Sequence, residues 1–303
     1  MTTKIKVLIG VIAAQLAFIF FSLTGQPEAG NRPAAQGAAF AITADSASVD
    51  KLVFGKNVLQ RQRDQWTINA TYPADPRLIR QLLDLMRKIE IKRPVADQQR
   101  DSVGKMLASQ GANIQVYANG QRQNQYQIVG QGPDTYAQLP GQAPVSLFLP
   151  GHNLVLHEIF TMPEGEWRNK TIIATGFTSL RELWVRYPAN PADDFHIRRD
   201  SGFYHVEGIK ELDSAMVFNY LNAYRSVNVL AFLDNIKLRD SLGNVPHFAQ
   251  LEVMAINERN DQIILIYVNR QRMLGVLTKT QEVVALDPRY FTRFLVRKRD
   301  FGK

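Results

Sequence analysis

The chain is expected to fold as α+β: two tandem repeated domains, each a mainly antiparallel sheet with helices on one face, after an N-terminal transmembrane helix. Three observations predict this. A lysine-flanked apolar run opens the sequence. Short alternating segments separated by turn residues then recur around a few helical ones. Finally, "WTINATYPADPRLIRQLLDLMRKIEI" at 66–91 is echoed 138 positions later by "YHVEGIKELDSAMVFNYLNAYRSVNV".

In chain order, Lys4 and Lys6 precede an uncharged stretch from Val7 to Leu23. Seventeen residues at 1.5 Å each make about 26 Å of helix, enough for a bilayer core once Ile5 extends it. Residues 1–24 therefore read as a signal anchor. A cleaved signal peptide is the alternative, but no small-x-small site follows the run directly. The flanking lysines keep the start cytoplasmic, so the expected localisation is the inner membrane, spanned once by residues 5–23, with the body in the periplasm. Residues 25–47, rich in Ala, Gly, Gln and Pro, read as a flexible spacer.

Residues 48–175 and 176–303 are expected to be the two repeats. Trp66 meets Tyr204, Ile79 meets Val217, Leu83 meets Leu221 and Ile91 meets Val229. Asp75 before Pro76, and Asp213 before Ser214, are helix N-cap signals. Upstream, "SVDKLVF" at 48 resembles "SLRELWV" at 179, an offset of 131. Downstream, "ANIQVY" matches "AQLEVM" at an offset of 137. Insertions such as "YPANPADD" fall in turns, where they are tolerated. Within the first repeat, strands are expected at 49–54, 58–63 and 66–71, helices at 75–88 and 98–109, strands at 113–118, 125–130, 135–139 and 145–149, and a short helix near 152–160. The second repeat follows the same order and ends on a helix near 288–297. Turns such as "YANGQRQN" and "NERNDQ" make hairpins, hence antiparallel sheets.

The strand–Trp–"YPAD"–helix opening, "TYAQLPGQAPVSLFLPG" at 135–151 and "WRNKTI" at 167–172 resemble the bacterial domain-of-unknown-function family 4340. The resemblance covers the whole body. It implies an N-terminal membrane segment and, for some members, a place beside ABC-type export permeases, in the manner of auxiliary subunits of gliding-type transporters. It implies no catalytic residues.

Composition narrows the chemistry. With no cysteine among 303 residues, disulfides, zinc–thiolate sites and thiol catalysis are excluded. Lys and Arg total 36 against 28 acidic residues, a net charge of +8. That charge is dispersed, without the clustered basic and aromatic pattern of a nucleic-acid binder. His152, His157 and Glu158 form the nearest approach to a metal set, but the five-residue spacing does not place both rings on one helix face. Ser48 with Lys51 and Ser102 with Lys105 repeat S-x-x-K without its companion motifs, and no G-x-S-x-G elbow or phosphate loop occurs. Asp193 and Asp194 read as turn formers. Trp66 and Trp184 read as core residues, and His205 as solvent-facing.

No catalytic, cofactor-binding or metal residues are expected, and no cofactor. Trp167 and Arg168 are the candidate partner contacts, beside a groove expected at the junction of the repeats. The leading functional expectation is a non-enzymatic, membrane-anchored accessory or scaffold protein. Its expected partner is an envelope protein such as a transporter permease, and nucleic acid is not expected. Binding of an anionic envelope polymer and hydrolysis of cell-wall glycan or peptide are the alternatives.

Overall fold

Alternation of apolar and polar residues sets the strands, and Asp-led caps set the main helices. In a computed structural model, the structure describes residues 40–303 apart from 153, 234, 270 and 271, and two compact units divide between Arg168 and Asn169. The proposed anchor lies outside the described residues. Among those described, no helix is long and apolar enough to cross a membrane.

The first unit opens with strands β1 (Val49–Phe54), β2 (Asn57–Gln62), β3 (Gln65–Ile68) and β4 (Tyr72–Pro73), followed by helix α1 (Pro76–Arg87). The expected strand to residue 71 stops earlier because Asn69 and Ala70 turn the chain at φ 51° and 57°. Asp75 caps α1, accepting from the Arg77 N–H at 2.8 Å, with Pro76 preset for the first turn. Then come β5 (Glu90–Pro94), α2 (Asp97–Gln110), β6 (Ala112–Ala118), β7 (Gln121–Gln131), β8 (Asp134–Gln138) and β9 (Val145–Phe148). Short helices α3 (Leu156–Phe160) and α4 (Glu164–Trp167) finish the unit. Asn119 and Gly120, at φ 52° and 75°, make the tight β6–β7 turn that an Asn-Gly pair favours. The sheet order is β4-β3-β2-β1-β6-β7-β8-β9-β5, and each neighbouring pair is antiparallel.

In the second unit, β10 (Thr171–Ile173) pairs with β14 (Val227–Asn228), so residues 171–173 belong here rather than with the preceding residues. Between these two lie β11 (Leu180–Arg186), β12 (Phe195–Asp200), β13 (Phe203–Val206) and α5 (Ser214–Asn222). After β14 come β15 (Ala231–Leu233), α6 (Ile236–Gly243), β16 (Ala249–Ala255), β17 (Gln262–Val268), β18 (Met273–Leu277) and β19 (Glu282–Leu286). The expected helix to 297 is shorter: α7 (Pro288–Phe291) runs straight into a 3-10 turn at Thr292–Phe294. The main sheet is ordered β13-β12-β11-β16-β17-β18-β19-β15.

The α+β class and antiparallel sheets stand, but the placement of helices on one face needs correction. In the first unit α1 packs Ile79, Leu82, Leu83 and Met86 into the larger core on one face, against Ile114, Val116 and Ile128. Helix α2 covers the opposite face, where Val103 and Leu107 meet Val129 and Tyr136. In the second unit α5 joins one core through Val217 and Leu221, while α6 joins another through Leu242, against Leu274, Val276 and Val283. Adjacent residues of a strand point to opposite faces, so two helix-covered faces require consecutive apolar residues. The uninterrupted run Met273-Leu274-Gly275-Val276-Leu277, buried throughout, meets that requirement.

Candidate functional site

Trp167 and Arg168 end the first unit. The Trp167 carbonyl accepts from the Asp75 N–H at 2.9 Å, and Ala74 and Arg168 form an antiparallel bridge. The indole is 2% exposed and lies 5.1 Å from the Phe54 ring. The Arg168 guanidinium sits 3.5 Å above the Tyr72 ring, and the residue is 4% exposed. Backbone pairing beside the α1 cap thus turns both side chains inward. Trp167 closes the first core, and both residues are buried.

The remaining candidates disperse. The half-buried His157 ring rests against Gly130, where a Cβ would collide with it, and its Nδ1 is 3.4 Å from Thr135 Oγ1. Burial pushes the His157 pKa below that of an ordinary histidine, Glu158 opposing. His152 is likewise lowered by burial and then by Lys88. Among the described residues no group of three His, Cys, Asp or Glu side chains is arranged to hold a metal. Ser48 donates to the Asp45 carbonyl at 2.7 Å, just ahead of β1 rather than within it. Ser102 and Lys105 lie exposed on α2. Asp194 accepts from the Tyr187 N–H at 2.6 Å, closing the turn, and Asp193 pairs with the distant Arg297 at 3.5 Å. His205 is exposed.

A more organised constellation occupies the second sheet. On β11, Leu183 and Val185 are buried in the core, which sends Glu182, Trp184 and Arg186 to the other face. Trp184 is therefore not a core residue as its sequence suggested, although its charged neighbours at alternate positions were the available signal. Cross-strand register sets His196 of β12 on one side of it and Glu252 of β16 on the other. The Trp184 and His196 rings stack with centroids 3.6 Å apart and planes inclined by 6°. The Arg186 guanidinium stands 4.8 Å from the Trp184 ring and donates to Glu252 Oε2 at 2.7 Å. At the far end His196 Nε2 is 3.3 Å from Glu182 Oε2, and Nδ1 is 3.5 Å from Glu207 Oε1. Carboxylate, imidazole, indole, guanidinium and carboxylate thus form one ladder across three strands. No nucleophile joins it. Planar stacking and alternating charge suit it to recognition: tryptophan and arginine present large area at little cost in side-chain freedom.

A second feature of the same unit is a groove of about 620 Å³ lined by Pro188, Leu242, Val245, Phe248, Tyr267 and Leu274, among others. Its one histidine, His247, has its pKa lowered by burial. Val245, Phe248 and Val268 at this groove are each about half exposed.

No family model, curated protein or solved structure matches the chain.

Proposed function

We propose that this chain is a non-enzymatic accessory protein of the cell envelope. It is anchored once in the inner membrane through residues 5–23, its body is two copies of one α+β domain, and the second copy contacts a membrane-protein partner such as an export permease. The lysine-flanked apolar run supports the anchor. What supports the duplication is correspondence within each unit. From the strand after the first hairpin to the last, the order β3-β2-β1-β6-β7-β8-β9-β5 has the same succession as β13-β12-β11-β16-β17-β18-β19-β15. Asp75 caps α1 while its N–H bonds the Trp167 carbonyl; Asp213 caps α5 while its N–H bonds the Phe301 carbonyl. Bridges Ala74–Arg168 and Leu212–Gly302 lie beside these bonds.

The observation that carries the contact role is the Arg186–Trp184–His196 ladder. At the corresponding places of the first unit Val53 stands opposite Val58 and Gln115, as Trp184 stands opposite His196 and Glu252. The architecture therefore does not require the ladder, and its presence on one copy only favours recognition over packing.

The test uses the intact chain in membranes. It should resist carbonate extraction, and a C-terminal oxidation-dependent reporter should be active. A photo-crosslinker replacing exposed Arg198, which neighbours Glu182 across the strands, should give one defined adduct with an envelope protein. The double variant Trp184→Ala, Arg186→Ala should reduce that adduct at least about tenfold, as loss of central aromatic and arginine contacts does. An adduct unchanged by the double variant refutes the contact surface, and a shortened, soluble chain refutes the anchor.

A further inference from the structure

Among the described residues of the second unit, apolar groups reach solvent at the rings of Phe177, Phe203 and Phe218, at Leu230 before the edge strand β15, at Ile236 and Ile256, and along the groove beside α6. The groove combines a volume with a chemistry. We propose that it seats a single hydrocarbon chain of a bilayer lipid, an inference that rests on the membrane-anchored reading for its source of lipid.

Among the described residues the groove is lined by no Lys, Arg, Asp or Glu. Its strand residues Tyr267, Val268 and Leu274 belong to β17 and β18. Both are interior strands, with β16 and β19 on their outer sides. Their ladder groups are already paired, so an extended peptide cannot add itself as a strand. Asn269 Oδ1 is engaged by the Arg272 N–H at 2.8 Å. What remains to stabilise an occupant is burial of hydrocarbon, which favours an unbranched apolar chain and leaves a polar head at the mouth. The volume, about 620 Å³, lies within the range of about 300–1,000 Å³ usual for small-ligand pockets.

The apolar rim is also more than the fold needs. At the 137-residue offset that aligns β16 with β6, Val245, His247 and Phe248 correspond to Ala108, Gln110 and Gly111, and the cross-strand register sets Val268 at the place of Gly130. The first unit thus builds the same strand succession with small or polar residues there. The second keeps Val245, Phe248 and Val268 at 49%, 48% and 47% exposure, a cluster that water disfavours and a lipid chain would cover.

The test places the full chain in phosphatidylcholine nanodiscs containing a phospholipid with a diazirine midway along one acyl chain, and maps labelling by mass spectrometry. Labelling is expected at 245–248 or 268, besides the anchor. It should fall at least tenfold in Phe248→Glu and in Val268→Glu. It should persist in Ile256→Glu, whose residue is 57% exposed and outside the groove. Hydrogen exchange of β17 and β18 checks that the variants remain folded. Labelling confined to residues 5–23, or equal in all variants, overturns the proposal. A dansylated fatty acid added to the same chain separates the two readings: binding that depends on Phe248 in a chain that carbonate releases keeps the groove and overturns the anchor.

Discussion

Replacing Asp213 with Ala removes an acceptor held 3.0 Å from both the Ala215 and Met216 N–H groups at the start of α5. Loss of an N-cap costs about 0.5–2 kcal/mol, and two bonded amides, one partly buried, place this site near about 1.5 kcal/mol. The second unit has about 135 residues; at ~2.1 cal/mol/K each its unfolding entropy is about 0.28 kcal/mol/K, so its midpoint should fall by about 5 °C. Asp213→Asn keeps a good cap and should lose less than half as much. Calorimetry of the full chain gives the midpoint, and hydrogen exchange at Ala215 and Met216 should accelerate in the Ala variant alone. The backbone bond from Asp213 N–H to the Phe301 carbonyl survives both changes, so it cannot produce a difference between them. Equal losses for Ala and Asn, or unchanged exchange at both amides, would refute the assignment of the stability to the side-chain cap.

Trp167→Ala should cost about 3–5 kcal/mol by opening a cavity against Phe54. Trp167→Phe should cost much less, because the indole N–H finds no partner among the described residues; urea unfolding distinguishes them. Gly275→Ala should destabilise by about 1–3 kcal/mol, since its Cβ would lie 3.0–3.2 Å from side-chain atoms of Val284, Ile264 and Leu286. For acid sensitivity, His157 and His247 both have folded pKa values lowered by burial. The unfolded chain therefore takes up their protons first. Their effect is absent above about pH 6.5 and destabilises as pH falls below it toward the folded values. The double variant His157→Gln, His247→Gln should show a smaller drop in urea midpoint between pH 7.5 and 5.0 than the parent chain; an equal drop would remove these rings as its cause.

Local physics wrote much of the fold into the sequence. Asp75-Pro76 and Asp213-Ser214 start helices because their carboxylates satisfy first-turn amides wherever the chain goes next. Asn119-Gly120 turns a hairpin because both residues accept positive φ. Alternation in "ANIQVYA" and "AQLEVMA" fixed which side chains of β6 and β16 face the core. Pairing across long separations was not local. Trp184 meets His196 and Glu252 only because β11 lies between β12 and β16, so the ladder could not be read from any short window. The second helical layer was legible only in part: Val103 and Leu107 lie one helical turn apart on α2, but only the packed sheet supplies Val129 and Tyr136 beneath them. Trp167 and Arg168 show the same division. Sequence marks an aromatic beside a cation, and those types serve a surface and a core equally well. It is the bridge to Ala74, together with the bond to Asp75, that rotates both inward, because buried backbone groups must find partners and the side chains follow.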